Sequence, residues 1–341
     1  LNDSNCSIPG SSITHETPGA AQANNIVRPD AESIARAGEL LRAGDVVGLP
    51  TETVYGLAGD GMNPAALARI FEIKQRPLYD PLILHFADAE AAFAVAESVP
   101  DVARKLAEKF WPGPLTLVVR KREHVPDLAT SGLPKVAIRV PAHPVAQALL
   151  RAFAGPLAAP SANRFGRISP TDAAAVRTEL GDAVPLILDG GPCRVGVEST
   201  VLDVSGKSIT LLRSGGISTE EIEALAGPIT RGMPVETNPV APGQLAHHYA
   251  PRKPLRLVVS AAEIPPGAEN GWLAFGQIDG KRNTAENISP AGDLREAAAN
   301  FFRALRTLDD DPCVRTIHAL RVPAHGLGLA INERLERAAS R

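Results

Sequence analysis

Apolar and polar positions along this chain switch repeatedly between helical and strand spacing. In "PDAESIARAGELLRAG", Asp30 precedes apolar residues at helical spacing and Gly44 stops the pattern, which predicts a capped helix. The run Val46–Leu49 follows as a strand. "NPAALARIFEIKQ" then predicts a second helix, with Asn63 as its cap and Pro64 in its first turn. Further strand-like runs are "PLILHF", "PLTLVV", "VAIRVP", "PLAAPS", "PLILDG", "STVLDV" and "ITLLRSG", separated by helical patterns near 88–110, 143–153, 170–180 and 218–226. About eight strands with interspersed helices predict an α/β or α+β sheet. The loops 160–171 and 189–199 carry unusual amounts of proline, glycine and polar side chains.

The pattern breaks at "GMPVETNPVAPGQLAHHYAPRKP", where five prolines and no periodicity predict a linker over residues 232–253. Its run His247-His248-Tyr249 is rich in rings for a spacer, which suggests a lid over a site. Residues 254–341 then read β-β-α-β-α, from "LRLVVS" and "WLAF" to "LGLAINERLERAAS", a compact Rossmann-like unit without a G-x-G-x-x-G fingerprint. Residues 27–231 form the larger unit. Residues 1–26 are rich in Ser, Gly, Pro and Asn and lack a signal-peptide pattern, so they read as a disordered tail or a cloning remnant.

Composition narrows the function without choosing it. A net charge of −3 gives no bulk signal for nucleic acid or membrane binding, and no apolar run approaches the ~20 residues of a spanning helix. Cys6, Cys193 and Cys313 are widely spaced, which fits a reducing, cytoplasmic setting and argues against structural zinc. Cys193 reads as inert, because nothing local marks a reactive thiolate. P-loop, zincin and α/β-hydrolase motifs are absent.

The candidate chemistry lies in "LPTETVYGLAGDGM", residues 49–62, where Thr51, Glu52, Thr53 and Tyr55 end an apolar strand. Gly56, Gly59 and Gly61 then read as a turn, the place where α/β sheets put ligands. Cations accompany it: Lys74 and Arg76 at a helix end, Arg139 and Arg213 inside apolar strands, and His85 at a strand end. Burying a lone guanidinium is costly, so such residues point at a partner; gathered on one face they would grip a polyphosphate or a carboxylate. Each has a plain alternative. Basic residues favour helix C-termini, strand arginines snorkel or pair with structural carboxylates, and "PSANRFGRISPT" reads equally as a turn.

Taken together, "PTETVYGL", "KQRPLYDPLILH", "FWPGPLTLV", "VAIRVPAHP", "APSANRFGRISPT", "DGGPCRVGVESTVLD" and "LLRSGG" resemble, in order, the YrdC/Sua5 family. "PGQLAHHYAP" and "GLGLAINERLERAA" resemble its longer, two-domain Sua5 branch. The resemblance implies a YrdC-type twisted mixed sheet with a concave basic cavity, plus a smaller Rossmann-like C-terminal Sua5 domain. It implies a nucleotidyltransferase forming threonylcarbamoyl-AMP and pyrophosphate from L-threonine, bicarbonate or CO2, and ATP with Mg2+. No protein-held metal and no tightly bound organic cofactor are implied. The product would pass to a tRNA threonylcarbamoyl transferase complex.

Carried over by motif, Thr53, His85, Arg139, Ala159 and Ser199 would face threonine. Lys74 and Arg76 would be catalytic. Arg76, Asp80, Lys135, Ser161, Asn163, Ser169, Arg213 and Tyr249 would line the ATP site. Asp80 stands where many relatives carry Asn, and a carboxylate near phosphates is unfavourable unless it faces adenosine or Mg2+. One rival reading is a carbamoyl-adenylate former of the hydrogenase-maturation type, without that class's additional segments. The other is a non-catalytic module binding tRNA or double-stranded RNA weakly through the same cavity; aromatics at 4% offer it no stacking platform.

Overall fold

The computed structural model describes residues 25–232, 239, 248–278 and 284–340. Most of the expected tail, and the linker from 240 to 247, lie outside the described residues. Asn25 and Ile26 already belong to the fold, because Asn25 donates to the Val184 carbonyl and Ile26 pairs with Ile187.

The larger unit is an eleven-stranded mixed sheet. Its strands run, edge to edge, Ile26–Val27, Ile187–Leu188, Val47–Leu49, Gly56–Asp60, Leu157–Ala158, Ile83–His85, Lys135–Arg139, Leu115–Arg120, Thr200–Asp203, Thr210–Arg213 and Thr230–Arg231. Because strand side chains alternate between faces, Leu84, Leu117, Ile138 and Leu202 pack into the main core. Ile83, Val118, Ala137, Val201 and Leu212 form a smaller cluster of their own. The register sets His85 opposite Arg139 and Arg139 opposite Thr116, so these three side chains stand abreast in one row.

Two sequence readings are corrected here. The segment read as a glycine turn is the interior strand Gly56–Asp60, antiparallel to Val47–Leu49. Its glycines serve close packing rather than reversal: a Cβ on Gly56 would sit 3.0 Å from the Ala159 Cβ, and one on Gly59 3.0 Å from Ile70 Cδ1. The helical pattern near 88–110 is two helices, Ala89–Ala94 and Asp101–Phe110; Pro100 caps the second.

The second unit is a four-stranded parallel sheet in the order Leu255–Val258, Thr316–Leu320, Asn270–Ala274 and Ala285–Asn287. The last of these strands was not legible in the sequence. Helices Leu294–Asp310 and Gly328–Ala339 complete the unit. Its core continues into the first domain, with Phe301, Phe302 and Leu335 in one cluster with Val54, Ile168, Val197 and Tyr249.

The loops 160–171 and 189–199 are the seat of this contact. Arg306 donates to Glu179 at 2.8 Å and to the Ile168 carbonyl at 2.9 Å. Gly196, at φ +77°, lies so close to the helix 294–310 that a Cβ there would come within 2.3 Å of the Ala298 oxygen. No described helix is long and apolar enough to cross a membrane.

Candidate functional site

Where the row of His85, Arg139 and Thr116 meets the 51–55 turn, the first domain has a small buried cavity of about 40 Å³. Thr53, Arg76, His85 and Arg139 line it, with Ala159, Ser161, Ser199, Arg213 and Tyr249. The turn is held by Thr51, whose hydroxyl donates to the Val54 carbonyl at 2.6 Å and lies 2.8 Å from the Thr53 hydroxyl. Arg139 donates to Thr53 Oγ1 at 2.9 Å and to Glu52 Oε1 at 2.7 Å. Glu52 also accepts from the Ala142 amide at 3.0 Å. Tyr55 points away from the cavity and ties the loop at Gly190 and Gly191 to the sheet.

The cations divide by task. Arg76 lines the cavity while donating to the carbonyls of Asp80 (2.9 Å) and Pro81 (2.8 Å). Asp80 Oδ2 lies 2.8 Å from Arg76 Nη2, so this carboxylate is a buried ion-pair partner rather than an open one. That contact is an ion pair of poor hydrogen-bond angle, and neither Asp80 oxygen gains a true donor. Burial accordingly raises the Asp80 carboxyl above its usual range, against the pull of Arg76 and Lys74. Arg213 donates to the Ser199 carbonyl and hydroxyl, and Ser199 in turn lies 2.7 Å from the Thr116 hydroxyl.

Lys74 does not line the cavity. It is fully buried and donates to the carbonyls of Ser161 (2.5 Å) and Asn163 (2.6 Å), anchoring the 160–167 loop. Burial, then the Arg76 charge, pushes its ammonium well below the usual lysine value. Asn163 braces the same loop by donating to the carbonyls of Arg164 and Arg167. Ser169 stands behind the wall and donates to Glu198 at 2.6 Å. Lys135 stands apart from the cavity. It begins the strand that Arg139 ends, about 13 Å away at ~3.3 Å per residue, and pairs with Asp203 at 2.7 Å.

His85 Nδ1 lies 3.1 Å from the Ile83 carbonyl oxygen; a carbonyl can only accept, which assigns the ring proton to Nδ1. Burial, followed by the Arg139 charge, lowers its pKa from 6.5 to about 3. Between these values only the unfolded chain takes up the proton, so His85 favours the folded state fully above 6.5 and loses this as pH falls toward 3. The slope is up to about 1.4 kcal/mol per pH unit for one such proton. His248, also buried, is lowered in the same sense. His85→Asn should therefore flatten the fall in urea-unfolding free energy on acidification; an unchanged slope refutes a buried neutral His85.

The wall opposite the sheet includes residues from the C-terminal part of the 232–253 segment. His248 and Tyr249 are buried, and Tyr249 adopts φ +66°, a left-handed backbone that costs a non-glycine residue roughly 1 kcal/mol. Ala250 donates to the Gly166 carbonyl at 2.8 Å, and His248 packs edge-on against Phe165. The Tyr249 hydroxyl is buried without a hydrogen-bond partner among the described residues.

Sequence reasoning passed over Glu198, which lines the cavity, and Arg334, which donates to it at 2.7 Å. A signal existed for Arg334: it falls on the apolar spacing Ala330, Ile331, Arg334, Leu335, Ala338, where a cation needs a buried partner. Cys193 is buried, and burial followed by the Glu52 charge pushes its thiol up, away from reactivity. Among the described residues no three carboxylate, histidine or cysteine side chains converge as metal ligands.

The chain resembles known proteins over most of its length. The family model for Sua5, YciO and YrdC, described as "Telomere recombination", matches residues 39–215. A second model, "Threonylcarbamoyl-AMP synthase, C-terminal domain", matches residues 217–340. The threonylcarbamoyl-AMP synthase of Pyrococcus abyssi is 41% identical over 89% of this chain and 92% of its own. That of Bacillus subtilis is 40% identical over 90% and 92%. The crystal structure of P. abyssi Sua5 complexed with L-threonine superposes with a TM-score of 0.84 at 39% identity, covering 92% of this chain and 96% of that one.

Proposed function

This chain belongs to the Sua5–YciO–YrdC family, and from that premise we propose that it forms threonylcarbamoyl-AMP and pyrophosphate from L-threonine, bicarbonate or CO2, and ATP. The observation that carries the reading is a single buried cavity joining hydroxyls (Thr53, Ser199), a neutral imidazole (His85) and guanidinium groups (Arg76, Arg139, Arg213). Such a wall suits a zwitterionic amino acid beside a polyphosphate. Relatives that share the two-domain chain carry the name of this activity.

In the proposed reaction the threonine amine attacks CO2, loses a proton and becomes a carbamate. A carbamate oxygen then attacks the α-phosphorus of ATP, and pyrophosphate leaves with the electron pair of the broken P–O bond. No step requires an enzyme nucleophile. The protein orients the partners, offsets phosphate charge and excludes water from a labile mixed anhydride. Thr53, His85, Ser199 and the backbone at Ala159 face threonine, and Arg139 holds its carboxylate. Arg76, Ser161, Arg213 and Tyr249 face the nucleotide. Asp80, Lys74, Asn163 and Ser169 act behind them, through the contacts they make. Mg2+ would enter as the ATP complex, held by phosphate oxygens and water.

A cavity of about 40 Å³ holds roughly one water. Two substrates need more room than this, which displacement of the His248 and Tyr249 side chains from the wall would supply. The product is handed to a tRNA threonylcarbamoyl transferase complex, which fits its short life in water.

Pyrophosphate release from ATP should require both L-threonine and bicarbonate. Valine should fail, because the site's hydroxyl-binding groups would be left unpaired, whereas serine loses only a methyl worth about 1 kcal/mol. Valine turning over as fast as threonine would remove Thr53, His85 and Ser199 from the amino-acid pocket.

A further inference from the structure

The second domain meets residues in and behind the cavity wall through helix Gly328–Ala339. Arg334, on helix Gly328–Ala339, is completely buried. Its Nε donates to Glu198 Oε2 at 2.7 Å, its Nη1 to the Ser214 carbonyl at 3.0 Å and to Ala330 at 2.9 Å. The guanidinium also lies 5.3 Å from the centre of the Tyr249 ring. One residue earlier on the same helix, Glu333 accepts from the Ser214 amide at 3.1 Å. Both backbone polar groups of Ser214 are thus held by adjacent residues of the other domain.

These contacts bear on the cavity through its immediate neighbours. Glu198 precedes Ser199, and Ser214 follows Arg213; Arg213 and Ser199 are hydrogen-bonded to each other across the cavity wall. Glu198 lines the cavity itself and accepts from Ser169 at 2.6 Å. We propose that Arg334 is a positioning residue, a clamp by which the second domain fixes the Glu198–Ser199 and Arg213–Ser214 segments and the Tyr249 ring, so that the site is complete only when that domain is docked. The effect on turnover rests on the function proposed above; the clamp itself does not.

The charge state agrees. Burial alone would raise the Glu198 carboxyl, yet Arg334, then Arg213 and the Ser169 hydroxyl, hold it down to about 2. An ionised Glu198 can only accept, which fixes Ser169 as the donor.

The test uses the full chain. Arg334→Met alone strands a buried carboxylate and is at risk of misfolding. Arg334→Met/Glu198→Gln removes both charges, and this double variant should melt within a few degrees of the wild type. In it, amide hydrogen exchange across residues 198–216, measured without ligand, should quicken at least tenfold while the strands 83–85 and 135–139 stay unchanged. The kcat/KM for ATP in pyrophosphate release should fall at least tenfold with it. A purely structural ion pair would instead restore exchange and turnover together with melting, and unchanged exchange over 198–216 overturns the clamp. A wild type silent in the pyrophosphate assay, with exchange still altered in the variant, would sink the functional reading and leave the clamp standing.

Discussion

Replacing Arg76 with alanine is expected to weaken ATP binding by about 2–5 kcal/mol, the loss seen when one partner of a buried charge pair is removed. Two effects act in the same direction. The variant loses a guanidinium on the cavity wall, and it strands Asp80, a fully buried carboxylate whose ion-pair partner is Arg76. The carbonyls of Asp80 and Pro81 also lose their donor, so the segment leading into strand Ile83–His85 loosens. Adding Asp80→Asn separates these effects. The double variant should recover thermal stability because no charge is left unpaired, but it should not recover nucleotide affinity. Calorimetry with ATP decides the point: an unchanged dissociation constant in Arg76→Ala would reduce Arg76 to a brace for the 77–81 loop.

Arg139→Met should cost about 3–5 kcal/mol of stability, with threonine binding lost beyond measurement. Its partner Glu52 is 2% exposed and would keep only the Ala142 amide as a donor. Thr53 would lose its contact to Nη1 at the same time, leaving the 51–54 turn to the Thr51 hydroxyl and the Val195 amide on the Glu52 carbonyl. Glu52→Gln in the same chain should return most of the stability, as a neutral amide tolerates burial far better than a lone carboxylate. Urea unfolding of the single and double variants, with threonine titrations on whatever folds, separates the structural from the binding role. A single variant as stable as the wild type would mean that the Arg139–Glu52 pair is nearly neutral in the folded state.

What the sequence made legible follows from how local each signal is. The helices at Ala31–Arg42 and Pro64–Lys74 were readable because Asp30 and Asn63 cap them and their apolar spacing is regular. Strand Gly56–Asp60 was not, since glycine disfavours strands on its own and is required here only by Ala159 and Ile70, residues distant in the chain. Edge strands of two residues, such as Ile26–Val27, carry too little pattern to be seen. Among site residues, the motifs brought Thr53, His85, Arg139, Ser199 and Arg213 to one cavity. Lys135 they left apart from it, at the far end of the strand that Arg139 ends and paired with Asp203. Lys74 and Asp80 were found as charged residues near the site, yet their partners are loop carbonyls and Arg76, which no single-residue signal reveals.

The row formed by His85, Arg139 and Thr116 has a bearing on how the molecule comes apart. Its members sit on three neighbouring interior strands, while Ala159 and Ser199 flank two others. Fraying of an edge strand leaves that row whole, and only disruption of the central sheet breaks it up. Small molecules bound there therefore stabilise the central sheet against global unfolding more than they stabilise the edges against local opening. Occupancy at a hundred times the dissociation constant adds about 2.7 kcal/mol to the unfolding free energy. That increment should appear in full at the slowest-exchanging amides of strands 115–120 and 135–139, and be nearly absent at the edge strand Thr230–Arg231.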